Sequence, residues 1–207
     1  GSDVSLDYLQ FPRQTLDYRA GDCDDLTILY TSLLSALGNE VAFITVPGHI
    51  YAAVSLDMAP TEARKTFSSP DELIFESGKT WLPVEITALT EPFSKAWQRG
   101  AAQWKEHDSD GNAKLYPLTP IWEDLYEGVG PYSDALDMKY LDSKQIRTAY
   151  DAELGRIISR EIHERESELK KRIRMSGGNL RYINRLGVLY ARYGLLDKAE
   201  EQFREIV

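Results

Sequence analysis

The sequence predicts an α+β protein: a helix bearing the single cysteine, packed on an antiparallel sheet, followed by a long helix and a helical hairpin. Three observations predict it. Residues 24–37 place Leu26, Leu29, Tyr30, Leu33, Leu34 and Leu37 at spacings of three and four, the period of one helical face. Residues 41–86 then hold short runs rich in β-branched residues, broken at Pro47-Gly48 and Ser77-Gly78, which is the punctuation of hairpins. From Ser143 to Met175 the chain is heavily charged and carries neither proline nor, after Gly155, glycine, the pattern of one long helix.

In order along the chain, Asp22 is placed to cap the first clear helix, Asp25 stands three residues on in its first turn, and Gly38 supplies the stop. Val41–Val46 reads as a strand. His49–Leu56 reads as its partner, with His49, Tyr51 and Ala53 on one face and Ile50, Ala52 and Val54 on the other. Residues 72–86 form a second hairpin, whose return strand Lys79–Ile86 puts Trp81, Pro83 and Glu85 on one side. Pro83 implies an edge or a bulge there, since proline cannot donate to a ladder. A helix from Pro92 carries Phe93, Ala96, Trp97, Gly100, Ala101 and Trp104 on one stripe, which marks both tryptophans as core. Residues 107–120 read as loop, and 128–142 as an aperiodic wrap over the first domain.

Ser176-Gly177-Gly178-Asn179 ends the long helix. Behind it, Ile183-x-x-Leu186-Gly187-x-x-Tyr190, Gly194 and Ala199-x-x-x-Phe203 match the tetratricopeptide pattern, with Ile in place of its first Trp. Leu-Gly lets two helices approach closely, and Tyr190, Ala199 and Phe203 fill the space between them. One such unit cannot bury its face alone, so the expectation is a truncated array with the long helix as substitute neighbour and a protein partner for the repeats. The expected organisation is a tag scar at 1–2, the first domain at 3–142, a connecting helix at 143–175 and the first repeat at 176–207.

The chain has 207 residues and a net charge of −9, which gives no broad basic surface for nucleic acid or an anionic membrane. No stretch approaches the roughly 18 apolar residues of a spanning helix. One cysteine excludes a disulfide framework and a thiolate zinc cluster. His163-Glu164 lacks the second histidine of a zincin helix, and Asp108–Asn112 has its glycine too early for an EF-hand, so it reads as a turn. His107 and His163 are expected at the surface. No metal or organic cofactor is expected.

The chemistry centres on Gly21-Asp22-Cys23-Asp24-Asp25-Leu26. A thiol at a helix N-terminus meets unpaired N–H groups and the helix dipole, which favour a thiolate and lower its pKa from about 8.5. The same N–H groups suit a developing oxyanion. Cys23 stands three residues before Leu26, so its thiol is expected to face the sheet. A nucleophile of this kind needs a base, and the base an orienting acceptor. His49 and Glu85, both on strands, are the residues that fit. Asp22, Asp24 and Asp25 read as cap and first-turn charges that oppose a thiolate.

GDCDDL, then PGHIYAAV, then WLPVEIT resembles the transglutaminase-like domain, a branch of the papain-like cysteine enzymes. Phe11-Pro12-Arg13-Gln14-Thr15-Leu16 is also similar to its bacterial members, and the resemblance covers about residues 8–90. It implies a papain-like fold with Cys23 as nucleophile, His49 as general base and acid, and Glu85 orienting His49 where the family most often has Asp. Gln14 is the side chain considered as an extra oxyanion donor. The implied function is acyl transfer on a protein or peptide amide through a thioester, of transglutaminase, amidase or peptidase type. An exported or periplasmic setting is implied by the resemblance alone. The alternative is a catalytically silent scaffold whose repeats bind a partner protein.

Overall fold

The computed structural model describes residues 8–125 and 142–206, with the backbone alone for 122–125. It is mixed α+β and divides into two compact units, one up to residue 141 and one from Asp142. The expected wrap at 128–142 and the scar at 1–2 lie, Asp142 apart, outside the described residues.

The first unit begins with α1 (Pro12–Tyr18) and α2 (Cys23–Ala36). Five strands follow: β1 (Val41–Val46), β2 (His49–Ser55), β3 (Ile74–Glu76), β4 (Lys79–Val84) and β5 (Lys114–Pro117). They form an antiparallel half-barrel sheet in the order β3-β4-β2-β1-β5. Helices α3 (Pro60–Thr66), α4 (Phe93–Asp108) and α5 (Leu118–Leu125) complete the unit.

The hairpin registers follow from their turns. Val46 faces His49 across Pro47-Gly48, and Glu76 faces Lys79 across Ser77-Gly78. Ser77 and Gly78 both have positive φ, 51° and 76°, as a two-residue turn matched to strand twist requires. One face of the sheet buries Ala42, Ile44, Val46, Tyr51, Ala53 and Trp81, with Trp104 of α4 packed against them. A second cluster joins Leu82 and Val84 to Ala96 and Trp97 of α4, with Tyr30 of α2 at its margin. Trp97, only 1% exposed, donates its indole N–H to the Glu72 carbonyl at 2.7 Å.

Four features depart from the expected elements. Residues 107–120 are not all loop: Lys114–Pro117 pairs with β1, with Phe43 opposite Tyr116, and α5 starts directly behind it. Four residues ending in proline are too short to show a period, and the Asp- and Gly-rich turn before them dominates the local signal. α1 and α3 are further helices that the sequence reading did not assign. Pro83 lies on a strand that is internal by order, yet β3 reaches only as far as Trp81 along β4. Among the described residues the flank of Pro83 away from β2 therefore carries no strand, and Gly100 of α4 approaches Pro83 closely.

The fourth departure concerns α2. Its buried positions are Asp25, Thr27 and Thr31, while Leu33 and Leu37 of the predicted apolar stripe are 52% and 78% exposed. Thr27 and Thr31 can go inside because their hydroxyls find partners: Thr27 donates to the Ile50 carbonyl at 3.4 Å and Thr31 to the Thr27 carbonyl at 2.8 Å. Cys23, Thr27 and Thr31 recur every four residues, so the thiol does share the face that meets the sheet, along a line of threonines instead of leucines.

The second unit consists of α6 (Ser143–Met175), α7 (Leu180–Arg192) and α8 (Leu196–Arg204). Ile162, Leu186, Leu189, Tyr190 and Ala199 form its core, with Ile158, Leu169, Ile173 and Phe203 packed around them. Gly187 is required there: a Cβ would lie 2.5 Å from the Phe203 ring. The apolar line of α6 is covered only in part, since Ile146, Tyr150 and Leu154 remain 40–60% exposed. Length explains this, because α7 spans about 20 Å against about 50 Å for α6. Among the described residues no helix is long and apolar enough to cross a membrane.

Candidate active site

The N-terminus of α2 is built by carboxylates. Asp22 Oδ1 accepts the N–H groups of Asp24 at 3.1 Å and Asp25 at 3.3 Å, and Asp25 returns the contact by accepting the Asp22 N–H. Asp25 is 2% exposed and also holds Gln10, whose backbone N–H and side-chain amide donate to its two oxygens at 2.7 and 2.6 Å. A Cβ on Gly21 would stand 2.7 Å from the Asp25 Cβ, so only glycine lets the chain pass this close. The cap thus consumes two of the first-turn N–H groups that the sequence offered to an oxyanion. The Cys23 N–H has no hydrogen-bond partner among the described residues.

Cys23 is half-buried. Its thiol donates to Asp24 Oδ1 at 3.4 Å. Burial pushes its pKa up, and the hydrogen bond to Asp24 and the charges of Asp24 and Asp22 add to that; the backbone of Ile50 opposes them. The resting group is therefore a thiol. The helix terminus alone would predict the reverse, but burial of the sulfur, with Asp24 and Asp22 adding to it, outweighs it. The Ile50 contact also locates the sulfur, which reaches the second residue of β2, next to His49.

His49 opens β2, and Glu85 follows the last residue of β4. His49 Nε2 lies 2.7 Å from Glu85 Oε2. Glu85 is 2% exposed, and all of its capacity is used: Oε1 accepts the Thr87 N–H at 3.0 Å and hydroxyl at 2.6 Å, and Oε2 accepts the Gln103 amide at 2.8 Å as well as the imidazole. Burial alone would raise its pKa; the hydrogen bonds from Thr87, His49 and Gln103 outweigh it and hold Glu85 below its ordinary value. The buried carboxylate is thus ionised. With Nε2 committed to Glu85, Nδ1 is the ring nitrogen left without a partner among the described residues.

Tyr51 backs the imidazole, with ring centroids 5.7 Å apart and planes at 22°. Burial and the charge of Glu85 push its phenol well above its ordinary range, so it stays a donor and binds the Gly100 carbonyl at 3.1 Å.

Gln14 is turned elsewhere. Its oxygen accepts the Phe11 N–H at 2.8 Å and its amide donates to the Tyr8 hydroxyl at 2.9 Å, both within the N-terminal segment. His163 is exposed, whereas His107 is half-buried and its carbonyl closes the 108–112 turn by accepting the N–H groups of Asn112 and Ala113. The donor atoms of Asp22, Cys23 and Asp24 lie within 4.8 Å of one another, but those of Asp22 and Asp24 already serve the cap and the thiol.

Thr87, Gln103 and Asp25 are missing from the sequence-level site. Thr87 had a signal, since a hydroxyl two residues after a carboxylate can close a local turn onto it. Gln103 had none, because its approach depends on the phase of α4 against β4. No family model, curated protein or solved structure matches the chain.

Proposed function

We propose that the protein is a cysteine-dependent acyl-transfer enzyme of the transglutaminase-like, papain-like type, with Cys23 as nucleophile, His49 as base and acid, and Glu85 as the acceptor that orients His49. The observation that carries this reading is the 2.7 Å bond from His49 to an ionised, fully satisfied Glu85, beside the strand position that the Cys23 sulfur reaches. An imidazole so held has one nitrogen fixed on a carboxylate and the other free, as a base for a thiol requires.

Chemically, the Cys23 proton passes to His49 Nδ1 while the sulfur attacks the carbonyl carbon of a carboxamide or peptide bond. The Cys23 N–H is the first-turn amide available to the oxyanion. Collapse breaks the C–N bond, and His49 returns the proton to the departing ammonia or amine. The remaining thioester passes to water or to an amine, whose proton His49 takes, and the thiol is regenerated. Because the resting sulfur is a thiol paired with Asp24, attack depends on His49 in each cycle. The α7–α8 hairpin, with Gly187 against Phe203, supports a tetratricopeptide unit that binds a protein partner.

The test measures alkylation of Cys23 by iodoacetamide from pH 4 to 10, together with thioester trapping from a glutamine-containing peptide using hydroxylamine as acceptor. The expected result is hydroxamate formation by the parent and a loss of about 10²-fold or more in His49→Ala, the contribution of a positioned base. Equal alkylation profiles in parent and His49→Ala, with no hydroxamate, overturn it. That outcome favours the scaffold reading, for which the thiol-raising contact with Asp24 is the supporting observation.

A further inference from the structure

Three positions of α4, spaced 96, 100 and 103, bear on the His49–Glu85 pair, two directly on Glu85 and one through Tyr51. The Ala96 carbonyl accepts the Glu85 backbone N–H at 3.0 Å. The Gly100 carbonyl accepts the hydroxyl of Tyr51, whose ring stacks on His49. The Gln103 amide donates to Glu85 Oε2 at 2.8 Å, the same oxygen that holds the imidazole. The helix lies close against β4 here, since a Cβ on Gly100 would stand 3.0 Å from the Pro83 carbonyl carbon and 3.1 Å from the Val84 nitrogen.

The orientation of Gln103 is expensive. Its Oε1 is buried and has no hydrogen-bond partner among the described residues. An orphaned buried acceptor costs about 1–3 kcal/mol, so a side chain kept only for packing would be an aliphatic one. The orphan follows from the donor's task, because turning the amide over would set an oxygen against the ionised Glu85. A neutral donor also suits the position. A Lys or Arg there would compete with His49 for the carboxylate charge, whereas an amide fixes Oε2 and leaves the charge in place. The other groups set against the imidazole come from different elements: Glu85 after β4 and Tyr51 on β2.

We infer that Gln103 is a positioning residue of this site: delivered by α4, it fixes Glu85 and through it the ring plane of His49. Only its consequence for catalysis rests on the acyl-transfer reading. The inference explains how a glutamate serves at this position: the longer side chain is pinned at both oxygens, by Thr87 on one and by Gln103 with His49 on the other.

The experiment uses the full chain with Gln103→Met, which keeps length and removes the donor, and Gln103→Asn, which keeps the amide one methylene short. The readout is solvent exchange of the His49 Nε2 proton by NMR, assigned with His49→Ala, alongside the Cys23 alkylation profile. Exchange is expected to quicken by about tenfold or more in Gln103→Met, the scale of one charge-assisted hydrogen bond, with Gln103→Asn between it and the parent. Melting temperatures identify any loss through general unfolding, and the milder Gln103→Asn carries the test if Gln103→Met does not fold. Exchange and alkylation matching the parent in the folded variants overturn the inference. The proton-exchange readout needs no activity, so a failed thioester assay with the expected exchange pattern would discard acyl transfer and leave the role of Gln103 standing.

Discussion

At Cys23 two opposing influences meet within one helical turn. The dipole and the Ile50 backbone favour a thiolate, while burial, Asp24 and Asp22 favour the thiol, and the second set prevails. Asp24 is the removable part, because it acts both by accepting the thiol hydrogen bond and by its charge. Asp24→Asn is expected to lower the Cys23 pKa, since the substitution removes the charge of Asp24 and leaves the lowering contribution of the Ile50 backbone in place. The alkylation profile should therefore move to lower pH, and an unmoved or raised midpoint would show that Asp24 does not govern the thiol. The cost in stability should be small, about 0.3–1 kcal/mol, for one charge lost near a helix N-terminus.

Among the elements, α4 is the one on which the site geometry depends. It packs on β4 at Gly100 and from that close contact binds Tyr51, which stacks on the histidine, and the glutamate. Gly100→Ala places a methyl against the backbone of Pro83 and Val84, which cannot move aside as a flexible side chain would. Destabilisation of about 1–3 kcal/mol is expected from overpacking, together with faster exchange of the His49 Nε2 proton as Gln103 is displaced. Chemical denaturation and NMR check the two effects separately. A stable variant with unchanged exchange would mean that α4 can shift without loosening the pair. α2 shows the converse case, in which polar residues occupy the buried face because each hydroxyl or carboxylate has its partner. The leucine period correctly identifies a helix there but misassigns its inner face, since Thr27 and Thr31 are bound to carbonyls that no local pattern reveals.

At the scale of the whole molecule, the two units have separate cores. The clusters around Trp81 and Trp97 draw on the first unit alone, and the cluster around Leu186 on the second. Leu186→Ala is expected to destabilise the second unit by about 2–5 kcal/mol, as a cavity in a small core does, and to leave the Cys23 alkylation profile unchanged. Denaturation followed by Tyr190-region NMR signals beside alkylation rates would test this. A coupled loss of Cys23 reactivity would show that the second unit supports the site.

By itself the sequence determined the α+β class, the helix starting at Cys23, both hairpins with their turn residues, the Ser143–Met175 helix and the tetratricopeptide-like spacing. These are local properties: periodicity, capping and turn chemistry act over a few residues and are written in them. It also singled out Cys23, His49 and Glu85, because scarce, chemically capable residue types at element ends are visible without coordinates. The tertiary structure decided what those residues touch. The Glu85 bond to His49 spans 36 residues and the Gln103 bond to Glu85 spans 18, and neither separation carries a local signal. Pro83 within an internal strand, the short β5 pairing with β1, and the thiol raised chiefly by its burial were decided there too. Each depends on which element packs beside it, and that is fixed only when the whole unit has folded.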